Sequence, residues 1–253
     1  MTDIASAERP VKVLCWSERT EKEHVYPQGI NGAIAKGLNE HGGFDVRVAN
    51  LQDDGQGLND LEWADVLVWF SHLKHRDVSD ENVDRIVREI NESGLGYVPI
   101  HSSLSARPFQ KALNHTGGSA GWREDGQPSV VNVVQPDHPI AQGIDRCFII
   151  PQEEMYAEPF RITPPDELVF ISSFAQGEVL RSGCCWHVGK GRVFYFQPGH
   201  EAYPVYHQKE IKLVLANACR WAAGRTRWER ASNRSQAPIG TSPRALAGAG
   251  VGR

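Results

Sequence analysis

No stretch of this sequence approaches the roughly 20 consecutive apolar residues that span a bilayer, so a membrane-spanning helix is not expected. The first residues, MTDIASAERP, are polar and lack the apolar core of a secretory signal, which makes the cytoplasm the expected location. Basic charge is scarce: 27 Lys and Arg face 31 Asp and Glu, and the net charge of -4 implies no nucleic-acid face. Cysteine is also scarce. The five residues Cys15, Cys147, Cys184, Cys185 and Cys219 contain no C-x-x-C pair, and an odd number does not suit a disulfide framework. Free, mostly buried thiols are the expectation, with adjacent Cys184 and Cys185 pointing to opposite faces of a strand. The sequence shows no internal repeat, no helical H-E-x-x-H and no G-x-S-x-G. The last absence disfavours a serine nucleophile on a strained turn.

What is present is a core-forming chain. Hydrophobic residues make up 40% and charged residues 23% of 253. Val11–Ser17, Asp45–Leu51, Ala64–Phe70 and Gly96–His101 read as β-strands. Pro27–His41 reads as a helix, because Ile30, Ala33, Ile34, Gly37 and Leu38 recur at helical spacing. Ser79–Ser93 reads as a second helix, capped by Ser79 and stopped by Gly94. The order β-α-β-β-α-β predicts a flavodoxin-like, doubly wound α/β fold, with a mainly parallel sheet and helices on both faces. Ser129–Gln135, Cys147–Pro151, Glu167–Phe174, Gly177–Trp186 and Arg192–Gln197 follow in quick succession and predict antiparallel strands in the C-terminal half. A closing helix is expected over Val205–Gly224. Residues 1–10 and 225–253 read as disordered tails around one domain, 11–224.

On such sheets ligands gather outside the carboxyl ends of the strands. Three of ten histidines fall there: His72, His101 and His200, each after a separate strand. His41, His115 and His138 lie in Gly- or Pro-rich turns and read as surface residues. The segment GYVPIHSSLS is the most informative. Its strand ends in a sharp turn toward a helix, where many α/β enzymes carry Ser or Cys, and here the turn carries His101. Two or three neutral imidazoles with one carboxylate suit a divalent transition metal with an open position. Glu154, beside Glu153 and Tyr156, is the candidate carboxylate, so the expected metal set is His101, Glu154 and His200. Hydrogen-bonded histidines without a metal are the alternative. A Ser102 or Ser103 nucleophile paired with His200 and Glu201 is a weaker rival chemistry.

The runs VYPQGINGAIAKGL, EEMYAEPF, PDELVFIS, VLRSGCCWHVGKGRVFYFQPGHEAYPVY and NACRWA resemble the trehalose-utilisation (ThuA) family from about Val11 to Gly224. The resemblance implies a class I glutamine amidotransferase-like fold. In amidotransferases the turn carries Cys, and a late His-x-Glu pair completes a triad. Here His101 and Pro-Gly-His200-Glu201 stand there, so a glutaminase is not implied. The family often reads Tyr-Pro-x-Gly-Ile-His near the first helix, where this chain has Asn31.

The resemblance further implies catabolism of trehalose or a related disaccharide, alongside a nicotinamide-dependent dehydrogenase that makes a 3-keto sugar. The expected activity is metal-assisted proton transfer next to the carbonyl of a 3-keto-glucoside, an isomerase-like reaction. Cleavage by a hydrolase or lyase, or sugar or partner binding without turnover, are the alternatives. His101, His200 and Glu154 are the expected catalytic residues, with Glu154 as ligand or base. Tyr156, Trp122, Arg123, His72 and Glu201 are the expected sugar contacts. Zn or Mn is the expected cofactor, no nucleotide is expected, and a homo-oligomer is the default assembly.

Overall fold

The computed structural model describes residues 9–224. Most of the tail expected over 1–10, and all of that over 225–253, lies outside the described residues. Eleven strands form two sheets: β1 Val11–Ser17, β2 Phe44–Asn50, β3 Val66–Phe70, β4 Gly96–Ile100, β5 Gly121–Arg123, β6 Ser129–Val133, β7 Cys147–Ile150, β8 Met155–Ala157, β9 Glu167–Phe174, β10 Val179–Val188 and β11 Gly191–Phe196. The main helices are α1 Gly29–His41, α2 Asp80–Arg88, α3 Arg107–Leu113 and α4 Lys209–Ala222.

Nine strands make one sheet in the order β2-β1-β3-β4-β11-β10-β9-β6-β7. The first five run parallel, and β10, β9, β6 and β7 each join antiparallel to their neighbour. The doubly wound parallel half and the antiparallel extension both follow the expectation. β5 and β8 form a separate two-stranded ribbon. Sequence periodicity gave no sign of it, since three residues cannot display a period.

Strand alternation divides the core into two layers. Val13, Cys15, Val68, Phe70, Ile100 and Phe196 face α1 and α4. Leu14, Trp16, Leu67, Trp69, Tyr97 and Tyr195 face α2 and α3. Trp16 and Trp69 stack on that side with ring centroids 3.6 Å apart. Cys184 and Cys185 fall in opposite layers, as their adjacency requires. All five cysteines are free thiols, and only Cys147 is exposed. No helix of the described residues is long and apolar enough to cross a membrane.

α2 begins where Ser79 accepts the Asn82 amide at 3.3 Å. It ends in a π-helical turn over Glu89–Ser93, closed by left-handed Gly94. Two histidines depart from the sequence reading. His138 is buried, accepts the Ile140 amide at 3.1 Å and lies against Trp221. His115 is half-buried against Phe109. Local turn composition could not report these long-range contacts.

Candidate functional site

The carboxyl ends of β1, β3, β4 and β11 meet on one edge of the sheet. The chain winds from β1 to β2 on one side and to β3 on the other, so this edge holds a topological switch point. Residues after three of these strands converge there.

His101 follows β4 with φ +52, a left-handed conformation that a bulky residue adopts only where its surroundings impose it. Those surroundings are specific. The Tyr195 hydroxyl donates to the His101 carbonyl at 2.8 Å. Ser102 Oγ donates to the Ser71 carbonyl at 3.0 Å, and Ser103 Oγ donates to that of Trp69 at 3.0 Å. Both hydroxyls are therefore committed to the backbone at the end of β3, which disfavours either serine as nucleophile. The strained turn therefore presents an imidazole.

That imidazole is fully buried. Its Nδ1 lies 3.1 Å from the Gln197 carbonyl, an acceptor, so Nδ1 carries the hydrogen. Nε2 is left bare in the neutral ring, and it lies 3.0 Å from Glu154 Oε2. Glu154 Oε2 is buried and has no hydrogen-bond partner. Two lone-pair atoms facing each other in a buried site call for a cation or a shared proton between them. Tyr156 stacks on the His101 ring at 5.2 Å, and its hydroxyl lies 3.5 Å from Nε2. Burial alone would raise the Glu154 pKa, but the His101 and His200 imidazoles pull it below the ordinary value. Burial, then the nearby Glu154 carboxylate, hold the Tyr156 phenol well above its usual value.

His200 comes from the Pro-Gly-His-Glu loop after β11. Its Nε2 lies 3.6 Å from Glu154 Oε2 and 3.9 Å from Glu201 Oε2. The Ala202 amide donates to its Nδ1 at 3.0 Å. The neutral ring therefore carries its hydrogen on Nε2 and offers a donor, not a lone pair, to the crevice. Burial, then the neighbouring His101, lower its pKa and keep it neutral. His72, after β3, donates Nδ1–H to Glu201 Oε1 at 2.5 Å, which leaves its Nε2 bare when the ring is neutral. Burial opposes charge on His72, yet Glu201 overrides it and the pKa is raised. Burial likewise opposes charge on Glu201, and the His72 contact brings its pKa to about 2. The three imidazole rings are 5.3 to 6.0 Å apart, centroid to centroid.

The structure brings His72, His101, Glu154, His200, Glu201 and Tyr156 together. One donor atom each from His101, Glu154 and His200 lie within 4.8 Å of one another, close enough for one ion. His101 and Glu154 fit a cation as they stand. His200 would join only by giving up the Ala202 hydrogen bond. Trp122 lies opposite Tyr156 across the β5–β8 ribbon, with its indole 68% exposed. Arg123 is on the ribbon's other face, paired with Asp125 and Glu178. Asn31 is occupied elsewhere: it donates to the Ala49 carbonyl and to Asn50 Oδ1, both at 2.9 Å, and ties α1 to β2.

Two carboxylates have roles that the sequence reading did not assign. Buried Glu18, just past β1, accepts the Leu73 and Lys74 amides at 2.6 and 2.9 Å and so holds the His72 loop. Its position one residue after a strand end was the only available signal. Glu153 is fully buried beneath the His200 loop. It accepts the Gly199 amide at 3.1 Å, and burial pushes its pKa up to about 8 although Ser129, Gly199 and Gln197 offer hydrogen bonds. It is a structural acid whose burial favours the neutral form, while its neighbour Glu154 faces the crevice.

A nine-stranded α/β sandwich with a strained turn at β4 and a His-Glu loop after β11 defines the class I glutamine amidotransferase-like architecture. Solved structures agree. A ThuA-like protein of Parabacteroides merdae is 16% identical, with a TM-score of 0.64 covering 86% of this chain and 91% of that one. A ThuA-like protein of Bacteroides uniformis is 20% identical, with a TM-score of 0.62 over 90% and 98%. A glutamine amidotransferase of Thermotoga maritima is 12% identical, with a TM-score of 0.55 over 84% and 98%. At these identities the likeness shows the fold. No curated protein matches the chain in sequence. The pattern of the trehalose-utilisation (ThuA) family matches residues 12–222, and the chain belongs to that family. Family membership points to a role in sugar utilisation.

Proposed function

We propose that this protein isomerises a 3-keto-glucoside, such as 3-keto-trehalose, by moving a proton next to the carbonyl. The observation that supports this most is the pairing of bare and hydrogen-bearing imidazole nitrogens with buried carboxylates at one crevice. A keto group makes the adjacent C2–H acidic. His72 takes that proton on its bare Nε2, oriented and made more basic by Glu201. The C–H electron pair becomes the C2=C3 bond, and negative charge develops on O3. His200 Nε2–H, in a neutral ring, faces that charge as a donor. Return of the proton to C3, with transfer of the O2 hydrogen to O3, yields the 2-keto isomer.

His101 and Glu154 would hold a divalent Zn or Mn. Bound there, the ion supplies Lewis acidity beside the substrate oxygen. Tyr156 covers the His101 ring and excludes water from that side. A nicotinamide-dependent dehydrogenase would supply the keto-sugar in the same cytoplasm. No nucleotide is required by this scheme.

The test is product analysis by 13C NMR after mixing the purified protein, with and without added Mn²⁺ or Zn²⁺, with 3-keto-trehalose. A new 2-keto disaccharide is expected. Free glucose would instead support cleavage, as a lyase or hydrolase performs it. An unchanged substrate under every metal condition would leave a sugar- or partner-binding protein.

A further inference from the structure

The β5–β8 ribbon presents two different faces. Trp122 and Tyr156 are direct cross-strand partners, so their side chains share a face. Tyr156 stacks on His101, which makes this the face toward the crevice. Glu124, two residues after Trp122, lies on the same side, with its carboxylate 4.0 Å from His200 Nδ1. Arg123 and Asp125 alternate to the other side, where Arg123 joins Asp125 and Glu178. The turn is seated on the site: a side-chain carbon at Gly126 would lie 3.2 Å from the Tyr203 hydroxyl, and the Tyr203 ring is 5.4 Å from that of His200.

Two features on this face are unused by the fold. Trp122 is 68% exposed, although burying an indole would stabilise the protein. Glu124 makes no hydrogen bond among the described residues, unlike Asp125 beside it. An exposed indole next to an exposed carboxylate matches the needs of a pyranose. The ring's C–H face packs on the indole, and vicinal hydroxyls donate to the carboxylate.

We propose that the Trp122–Glu124 face of the ribbon is a second sugar subsite, which binds the non-reacting ring of a neutral disaccharide. This rests on the keto-glucoside reading above and names the other half of its substrate. The reacting ring lies at His101 and His200, and its partner ring lies one residue spacing outward, on Trp122. Charge sets the class of sugar. Glu124, Glu154 and Glu201 border the crevice, so a phosphorylated or acidic sugar meets like charge.

The test uses unreactive trehalose, glucose and trehalose 6-phosphate in calorimetric titrations of the full chain. Wild type is expected to bind trehalose at least about tenfold more tightly than glucose, and trehalose 6-phosphate more weakly than trehalose. Trp122→Ala should weaken trehalose about tenfold and leave glucose unchanged. Glu124→Gln should weaken trehalose several-fold and narrow the preference over the phosphate ester. Thermal unfolding near that of wild type would show that both variants fold, as expected for exposed side chains. Equal binding of trehalose by wild type and both variants would overturn the proposal. So would a wild-type preference for the phosphate ester, or a loss of self-association in Trp122→Ala with sugar binding intact. The two readings fail separately. The binding pattern without turnover of 3-keto-trehalose would refute the isomerase and keep the subsite, whereas turnover with unchanged binding in the variants would do the reverse.

Discussion

Under the proposed isomerisation of 3-keto-trehalose, Glu154→Gln is expected to lower kcat by about 10²–10⁴-fold while the protein stays folded. The carboxylate is buried, and its Oε2 is 3.0 Å from His101 Nε2 and 3.6 Å from His200 Nε2. Its Oε2 has no hydrogen-bond partner other than the facing His101 ring. The amide keeps shape and volume. It loses the negative charge that would hold a divalent ion, and its NH₂ can serve neither as ligand nor as base. Affinity for added Zn²⁺ or Mn²⁺, measured by titration calorimetry, should fall in parallel. Stability should fall modestly at neutral pH, since the His101 and His200 contacts that hold the carboxylate pKa below its ordinary value are lost. Turnover within a few-fold of wild type would show that Glu154 is only structural.

Gly199→Ala is expected to harm both folding and function. Gly199 has φ +143, a region open essentially to glycine alone. A side-chain carbon there would lie 2.0 Å from the Tyr206 hydroxyl and 3.3 Å from His101 Cβ. Tyr206 is fully buried and cannot swing aside. Backbone strain and overpacking each cost about 1–3 kcal/mol. Together they should lower the thermal midpoint by about 10 °C. The residual folded protein should lose most of the proposed activity, because Gly199 sets the path of the next residue, His200. A variant with wild-type midpoint and rate would show that the Pro-Gly-His turn is more compliant than its contacts indicate.

Much of this was legible in the sequence, and the parts that were not have physical reasons. Long apolar strands and the capped helix at Ser79 carry local signals, and they appear in the structure within a few residues. The convergence of His72, His101 and His200 was readable because strand ends on a doubly wound sheet share an edge. The pair Glu153-Glu154 was readable as a source of carboxylate, but not which member faces the crevice. That follows from the local path of the chain as it enters the short strand β8. Glu124 and Glu18 carried no periodic signal, since each sits just beyond a strand. The burial of His138 depends on α4, some 80 residues away in sequence. The hydrogen positions on His101, His72 and His200 were also invisible. They are set by the Gln197 carbonyl, the Glu201 carboxylate and the Ala202 amide, partners that only the folded backbone supplies.

The most direct measurement is proton NMR of 3-keto-trehalose incubated with the protein in deuterium oxide. The C2 proton signal should vanish at least as fast as product accumulates, with the glycosidic bond intact, because the proton leaves to an imidazole in contact with solvent. Consumption of the sugar with full retention of hydrogen at C2 would contradict proton transfer at this crevice.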